Sequence, residues 1–180
     1  MSFKKPKNRT KALISLALYQ LILRHNHYDN ITVKDICETA GVSRMSFYRY
    51  YNKKEDILID YCDERFAEFY EEFFQNSEPN GRTFLIGMFN HFKKYHRQLS
   101  ILLAANKQSL LMNQFDSYTR YLFGTWRAIR ESSLGSNPVV APFVSGGVFN
   151  LLMYWLSSGM KETPEEMTNA VFALFPEVTK

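Results

Sequence analysis

The sequence predicts an all-α fold, in which an N-terminal three-helix domain is followed by a larger helical domain. Apolar residues recur at spacings of three and four along most of the chain, and helix-start signals precede several of these segments. With 180 residues and 46% hydrophobic content, the chain has enough apolar side chains for a packed core. We place the domain boundary after residue 54, which gives domains of residues 1–54 and 55–180.

The charge also changes at this boundary. Residues 1–54 contain eleven Lys and Arg against three Asp and Glu, a net charge of +8, whereas residues 55–180 contain eleven against fifteen, a net charge of −4. We call residues 1–54 the head and residues 55–180 the body. A basic head on a mildly acidic body is expected where one end of a protein meets a polyanion, and both nucleic acid and an anionic membrane surface fit this pattern. The two cysteines and the lack of a signal-like N-terminus favour a reducing compartment, so we expect a cytoplasmic protein.

The basic head begins with two predicted helices. The first covers residues 10–24, where apolar residues form one stripe. The second covers residues 33–40, and Thr32 and Asp35 are spaced as a capping box at its start. Gly41 is well placed to end this helix, because a left-handed residue after a helix favours glycine.

A third, short helix follows almost at once. Ser43 can cap it, and Asn52 with Glu55 marks the start of a fourth helix over residues 54–74. The second and third helices, joined by a tight turn, form the outline of a helix-turn-helix. The third helix should therefore lie in the major groove of DNA.

The third helix has two different faces. At about 100° per residue, Phe47 and Tyr51 share one face and should pack into the core, while Met45, Tyr48 and Arg49 point away from it. An exposed aromatic beside an arginine suits a major groove, where arginine bonds guanine edges and hydroxyl groups meet phosphates.

The segment ITVKDICETAGVSRMSFYRYYNKKEDIL, residues 31–58, resembles the DNA-binding segment of the TetR family of bacterial transcriptional regulators. The likeness extends over residues 8–60 and includes the Thr-Val start of the second helix, the Ala-Gly-Val-Ser turn, the Phe-Tyr pair and the Lys-Lys-Glu start of the fourth helix. A shorter stretch, WLSSGMKETPEEM at residues 155–167, is similar to the last helix junction of one C-terminal subgroup of that family.

The resemblance implies DNA-binding roles for nine residues of the head. Those that match positions typically holding phosphates are Thr32, Tyr48, Tyr50 and Lys54. Those that match positions near base edges are Ser43, Arg44, Met45, Ser46 and Arg49. Many family members have a small residue at the position of Met45, so this chain should tolerate different bases there. Tyr51 stands where the family usually has Phe, and its hydroxyl needs a partner if it is buried.

The body is predicted to be helical over residues 83–95, 98–105, 109–132, 139–159 and 164–175. In the resembling family this region surrounds a small-molecule pocket. From helical position and the resemblance, we expect a ligand to lie among Phe66, Phe69, Phe89, His91 and Tyr118. Each of these aromatic residues taken singly also fits an ordinary core position.

Residues 139–160 carry no charge and are apolar nearly all round, a length sufficient to span a bilayer at about 20 residues. A membrane span and a core helix that also meets a second subunit both fit this composition. Pro142, Asn150 and the paired serines at 157 and 158 weigh against a membrane span. We favour a homodimer, with an interface that includes Phe143, Gly147, Leu151, Tyr154, Val171 and Phe175.

These features favour a TetR-type regulator of transcription, a dimeric repressor that binds a palindromic operator in double-stranded DNA and is released by a small-molecule effector. The sequence shows no Ser-His-Asp grouping, glycine-rich phosphate loop or metal-ligand spacing, so we expect no enzymatic activity, no cofactor and no metal. We also expect no membrane partner. The alternatives are a helical interaction protein or co-regulator that acts through a protein partner, and a membrane-associated regulator.

Overall fold

A computed structural model of the chain describes residues 8–24, 28–74, 79–131 and 137–174. A short 3-10 helix covers Tyr28–Asn30. The α-helices of the described residues are, in chain order, α1 (Arg9–Arg24), α2 (Val33–Ala40), α3 (Arg44–Tyr48), α4 (Glu55–Phe74), α5 (Gly81–Lys94), α6 (His96–Ala104), α7 (Gln108–Thr125), α8 (Arg127–Arg130), α9 (Val140–Ser157) and α10 (Pro164–Leu174). No β-strand occurs in these residues. The predicted all-α fold is confirmed.

The predicted boundaries of α2 and the start of α3 are confirmed. The amide of Asp35 donates to Oγ1 of Thr32 at 3.2 Å, and the amide of Thr32 donates to Oδ2 of Asp35 at 2.8 Å, which completes the capping box. Gly41 ends α2 in the left-handed conformation with φ 65°. Ser43 then accepts the amide of Ser46 at 3.0 Å and caps α3.

The start of α4 differs in one detail from the sequence prediction. The backbone amides of Asn52 and Lys53 donate to Oδ2 of Asp56, at 2.8 and 3.2 Å, so Asp56 rather than Glu55 supplies the carboxylate at this helix start. The carboxylate of Asp56 thus reaches back from the first turn of α4 to two amides of the segment that precedes the helix.

The prediction of one continuous helix over residues 109–132 was wrong. α7 ends at Thr125, and Trp126 adopts an extended conformation with φ −72° and ψ 111° before α8 begins. The indole of Trp126 is buried and lies 5.4 Å from the ring of Phe74 and 4.9 Å from that of Phe84, measured between centroids. Burial of this large side chain outweighs continuation of the helix.

The chain packs as two compact units. The first consists of Met1–Ala67 with Arg97–Gln114, and the second of Glu68–His96 with Phe115–Lys180. This division concerns packing, so the predicted functional boundary after residue 54 stays a prediction.

The first unit is built around side chains from α1, α2, α3, α4 and α6. Its fully buried apolar residues are Ile14, Leu18, Ile36, Phe47, Ile57, Leu58 and Leu102. Burial of each such side chain contributes about 1.5–3 kcal/mol of hydrophobic free energy. Within this unit α2 packs against α1, and α3 packs against α2.

The second unit has a core of its own. The rings of Phe89 on α5 and Trp155 on α9 meet edge to face, with centroids 5.5 Å apart, and both side chains are fully buried. The indole nitrogen of Trp155 donates to the carbonyl of Glu162 at 3.1 Å, and α10 packs against α5. The junction between α9 and α10 is therefore anchored in the core.

The helix α9 is apolar enough to cross a membrane by length and composition. Its 18 residues have a mean hydropathy of 1.3, and 22% of them are buried in the structure. Among the described residues it is the one helix that meets this criterion. A core helix of a soluble protein also meets it, so composition alone does not choose between the two roles.

Candidate nucleic-acid interface

The position of α3 is set by one buried ring. Phe47 is fully buried, and its ring centroid lies 5.4 Å from that of Tyr48 and 5.8 Å from that of Tyr51. Tyr51 is buried beside it, as the helical spacing predicts. Because an aromatic side chain buried from this helix can point in only one direction, Phe47 determines which residues of α3 face outward.

The outward face of α3 carries the side chains that were predicted there. Met45 is 77% exposed and Tyr48 is 55% exposed, and Arg49 is also exposed. Ser43 and Arg44 are exposed at the start of the helix. The predicted division of α3 into a core face and an outward face is confirmed.

Two serines form a small polar cluster at the start of α3. Their Oγ atoms, on Ser43 and Ser46, lie 2.9 Å apart, and Ser43 also accepts the amide of Ser46. The hydroxyl of Ser43 therefore caps the helix, and both hydroxyls lie at the end of α3 that begins with Arg44.

Tyr50 is connected to the first residues of α1. Nδ2 of Asn8 donates to the hydroxyl oxygen of Tyr50 at 2.9 Å, and Oδ1 of Asn8 accepts the amide of Thr10, also at 2.9 Å. Asn8 thus caps α1 and fixes the ring of Tyr50. A phenol that accepts one bond keeps its own hydrogen for another acceptor.

The hydroxyl of Tyr51 has the partner that its burial requires. It donates to Oδ2 of Asp60 on α4 at 2.9 Å, while Nζ of Lys11 donates to Oδ1 of Asp60 at 2.6 Å. Burial and the neighbouring Asp60 raise the pKa of Tyr51 above its ordinary value. Lys11 belongs to the basic N-terminal run, and no sequence pattern indicated that it forms an ion pair with Asp60.

The side chain of Lys54 points back to the segment before α2. Nζ of Lys54 donates to the carbonyl oxygens of Tyr28, Asp29 and Ile31 at 2.9, 3.0 and 2.7 Å. Burial lowers the pKa of Lys54, yet the three carbonyls solvate the ammonium group. The family resemblance implies a phosphate contact for Lys54, and nothing in the sequence pattern indicated its three carbonyl partners.

The body contains a half-open cavity of about 290 Å³ on the second unit, lined by Glu72, Phe73, Gly87, Asn90, His91 and Lys94. The ring of Phe73 lies so close to Gly87 that a Cβ at this position would overlap the ring unless it moved. The lining thus combines the charged side chains of Glu72 and Lys94 with the apolar ring of Phe73. The cavity is small enough to suit a compact ligand.

The predicted ligand residues are not all at this cavity. His91 lines it, and the ring of Phe69 lies 5.5 Å from the imidazole. Phe89 is directed to Trp155 in the core, Tyr118 is half-buried, and Phe66 is buried and belongs to the first compact unit. No group of three or more His, Cys, Asp or Glu able to hold a metal ion occurs in the described ranges.

The predicted dimer residues on α9 form an outward stripe. Phe143 is 64% exposed, Tyr154 is 62% exposed, Gly147 is exposed and Leu151 is half-buried. The opposite face of α9 is buried through Ser145, Phe149, Leu152 and Trp155. Val171 on α10 is half-buried, and Phe175 lies outside the described residues.

Two family models match the chain. Residues 22–61 match the model described as bacterial regulatory proteins, tetR family. Residues 80–176 match the TetR model described as transcriptional regulator C-terminal region. The first of these covers the helix-turn-helix, and the second covers most of the body.

The chain is similar to two curated regulators. It is 24% identical over 182 residues to the uncharacterized HTH-type transcriptional regulator YxbF from Bacillus subtilis (strain 168), across 96% of this chain and 46% of that protein. It is 36% identical over 59 residues to the HTH-type dhaKLM operon transcriptional activator DhaS from Lactococcus lactis subsp. lactis (strain IL1403), across 33% of this chain and 31% of that protein. The chain thus spans less than half the length of these relatives.

Two solved structures are similar over nearly the whole chain. A TetR transcriptional regulator from Streptococcus agalactiae 2603V is 25% identical with a TM-score of 0.66, over 92% of both chains. The fatty acid degradation regulator FadR from Bacillus halodurans is 22% identical with a TM-score of 0.56, over 94% of this chain and 96% of that one. The second likeness concerns the fold alone.

Proposed function

Since the chain belongs to the TetR family of bacterial transcriptional regulators, we propose that it controls transcription by binding double-stranded DNA through the surface of α2 and α3. The observation that carries this proposal is the burial of Phe47, which turns Arg44, Tyr48 and Arg49 outward together. The excess of positive charge in residues 1–54 supplies the long-range attraction to the DNA backbone.

The outward face of α3 is suited to reading bases. The guanidinium groups of Arg44 and Arg49 can form paired hydrogen bonds to a guanine edge, and the side chain of Met45 can contact a thymine methyl group. The hydroxyls of Ser43 and Ser46 lie at the same end of the helix and can bond to base edges or to phosphates. We assign these five residues to base recognition.

Three other residues are suited to hold the DNA backbone. Thr32 is exposed at the N-terminus of α2, an end of a helix that favours phosphate. Tyr48 is exposed on α3, and the ring of Tyr50 is fixed by Asn8. Hydroxyl contacts to phosphate set the position of the protein on the duplex but carry no sequence information.

We assign the outward stripe of α9 to a homodimer contact. The stripe presents Phe143, Gly147, Leu151 and Tyr154, and Val171 of α10 extends the proposed interface. An exposed apolar helix face that meets its own copy across a two-fold axis is buried on both sides. The operator is then palindromic, because two copies of α3 related by a two-fold axis require inverted half-sites. A soluble dimer without detergent supports this assignment, whereas partition into lipid vesicles would favour a membrane-associated regulator.

We assign the regulatory role to the second unit. A small-molecule effector bound near His91 and Phe69 would alter operator affinity, and release of a repressor is the outcome that we propose. Phe66, Phe89 and Tyr118 are the other residues for which a ligand role is proposed. This function requires no catalysis and no cofactor. We place the protein in the cytoplasm, because its DNA partner lies there.

Selection from a random pool of duplex DNA tests the proposal. The purified protein should enrich an inverted repeat. The double variant with Arg44→Ala and Arg49→Ala should stay folded and lose the enrichment. Arg127→Ala is the matched control, because Arg127 is an exposed arginine on α8 of the second unit. The proposal fails if the unaltered protein enriches no sequence, or if the control loses enrichment to the same extent.

A further inference from the structure

We infer that Lys54 and Lys107 are positioning residues for DNA binding, which hold the segment of residues 28–31 in place before α2 instead of contacting phosphate themselves. The inference rests on the proposed DNA-binding function. It concerns contacts within the first compact unit, to which both lysines belong.

Lys54 has no ammonium hydrogen left for a phosphate in this arrangement. A lysine side chain has three donors, and the carbonyls of Tyr28, Asp29 and Ile31 accept one bond each. Nζ of Lys54 also lies 4.4 Å from the ring centroid of Tyr28, within the range of a cation–π interaction. A phosphate contact would require Lys54 to give up one of these carbonyls.

Lys107 contacts the same segment from the turn between α6 and α7. Its Nζ donates to Oδ1 of Asp29 at 2.9 Å and lies 4.6 Å from the ring centroid of Tyr28. The preceding residue, Asn106, has φ 54°, a left-handed conformation that ends α6 and turns the chain at this point. The ring of Tyr28 is therefore contacted by two cations that are 53 positions apart in the sequence.

The segment held by the two lysines leads directly into α2. Tyr28 and Ile31 are both buried, and the amide of Ile31 donates to the carbonyl of Tyr28 at 3.0 Å. The next residue is Thr32, the N-cap of α2. Buried carbonyls need hydrogen-bond partners, so loss of the Lys54 ammonium group releases the segment and with it the start of α2. Loss of Lys107 removes its bond to the Asp29 carboxylate and its contact with the Tyr28 ring, which hold the same segment.

A positioning role and a phosphate role differ in their salt dependence. Loss of one phosphate contact lowers the slope of log affinity against log salt by about 0.9. Loss of a positioning residue leaves the number of phosphate contacts unchanged, so affinity falls while the slope is retained. Release of residues 28–31 is also detectable in the protein without DNA.

The test uses the full chain with Lys107→Met, Lys107→Arg and Lys54→Met, with the exposed Lys161→Met of the second unit as matched control. Hydrogen exchange of the free protein is measured over residues 28–36. Operator affinity is measured between about 50 and 200 mM salt, a range over which a protein with about 6–10 phosphate contacts loses about 10³–10⁵-fold in affinity. We expect both methionine variants to exchange about tenfold faster in this segment, with affinity reduced about tenfold and the slope retained. Lys107→Arg should retain the exchange rate and the affinity of the unaltered protein.

Unchanged exchange over residues 28–36 in Lys107→Met would overturn the inference. A reduced salt slope in Lys54→Met without faster exchange would instead make Lys54 a direct phosphate contact. Lys107 lies in a turn, so its variants decide the matter even if Lys54→Met does not fold. Should the unaltered protein bind no operator, the proposed function fails, while the exchange measurement still decides whether the two lysines hold the segment.

Discussion

The hydroxyl of Tyr51 donates to Oδ2 of Asp60 at 2.9 Å and joins the residues after α3 to α4. Oδ1 of the same carboxylate accepts from Lys11 of α1 at 2.6 Å. The side chains of Lys11 and Asp60 are 15% and 11% exposed, so the pair is largely desolvated. One carboxylate thus connects α1, α4 and the residues after α3.

Removal of this carboxylate should be costly. Asp60→Ala leaves the ammonium group of Lys11 buried without its partner, and we expect a loss of about 3 kcal/mol in the free energy of unfolding. Tyr51→Phe removes one neutral donor and leaves the ion pair, for a loss of about 1 kcal/mol. Urea unfolding of both variants measures the difference. Equal losses would mean that the ion pair contributes nothing beyond the tyrosine bond.

The features of the head that could be predicted are those set by neighbours in sequence. The capping box of Thr32 and Asp35, the left-handed Gly41 and the burial of Phe47 each depend on residues within one or two helical turns. The spacing of these residues along the chain is therefore enough to predict the three features.

The features that could not be predicted depend on distant partners. Lys11 meets Asp60 across 49 positions, and Lys107 meets Asp29 across 78. A charged side chain gives no periodic signal that indicates its partner, so neither contact could be predicted from the sequence. The break at Trp126 has the same origin, because its burial between Phe74 and Phe84 is a tertiary contact.

The turn between α2 and α3 should depend on glycine. Gly41 has φ 65°, and a Cβ in this conformation costs about 1–2 kcal/mol, although no neighbouring atom would clash with it. We expect Gly41→Ala to lower stability by that amount in thermal unfolding. Gly124→Ala is the control, since this glycine lies within α7 with open space around it and alanine favours a helix. A Gly41→Ala protein as stable as the Gly124→Ala protein would rule out conformational strain at the turn.

The contact between Ser145 and Asp116 should appear in the pH dependence of stability. The hydroxyl of Ser145 donates to Oδ1 of Asp116 at 2.7 Å, and this bond, with that from Arg120, lowers the pKa of the carboxyl group. A depressed carboxyl pKa stabilises the fold above the unfolded pKa of about 3.9, and this stabilisation is lost as the pH falls through the lower folded value.

Ser145→Ala should therefore cost about 1 kcal/mol at pH 7, and the difference from the unaltered protein should shrink below about pH 4. Ser157→Ala provides the control, because that hydroxyl donates to the carbonyl of Tyr154 in its own helix. Thermal unfolding across the pH range checks both variants. A difference that stays constant down to pH 3 would show that Asp116 is not the group stabilised by Ser145.

The outward stripe of α9 should determine the oligomeric state. A glutamate in the middle of an apolar interface is desolvated without a partner, so Phe143→Glu should convert the dimer to a monomer. Leu23→Glu is the control, since Leu23 is 68% exposed on α1 and lies outside the proposed interface. Sedimentation at micromolar concentration gives the masses. A Phe143→Glu protein that stays dimeric would place the interface elsewhere.

Footprinting of the selected operator tests the central claim most directly. It shows whether α3 protects specific bases and whether the protein binds as a two-fold dimer. Two outward-facing α3 helices related by a two-fold axis should protect two inverted half-sites with centres about 34–36 Å apart, or a multiple of that distance. Arg44→Ala/Arg49→Ala should remove protection from both half-sites. A single protected half-site, or uniform protection without sequence preference, would contradict the account.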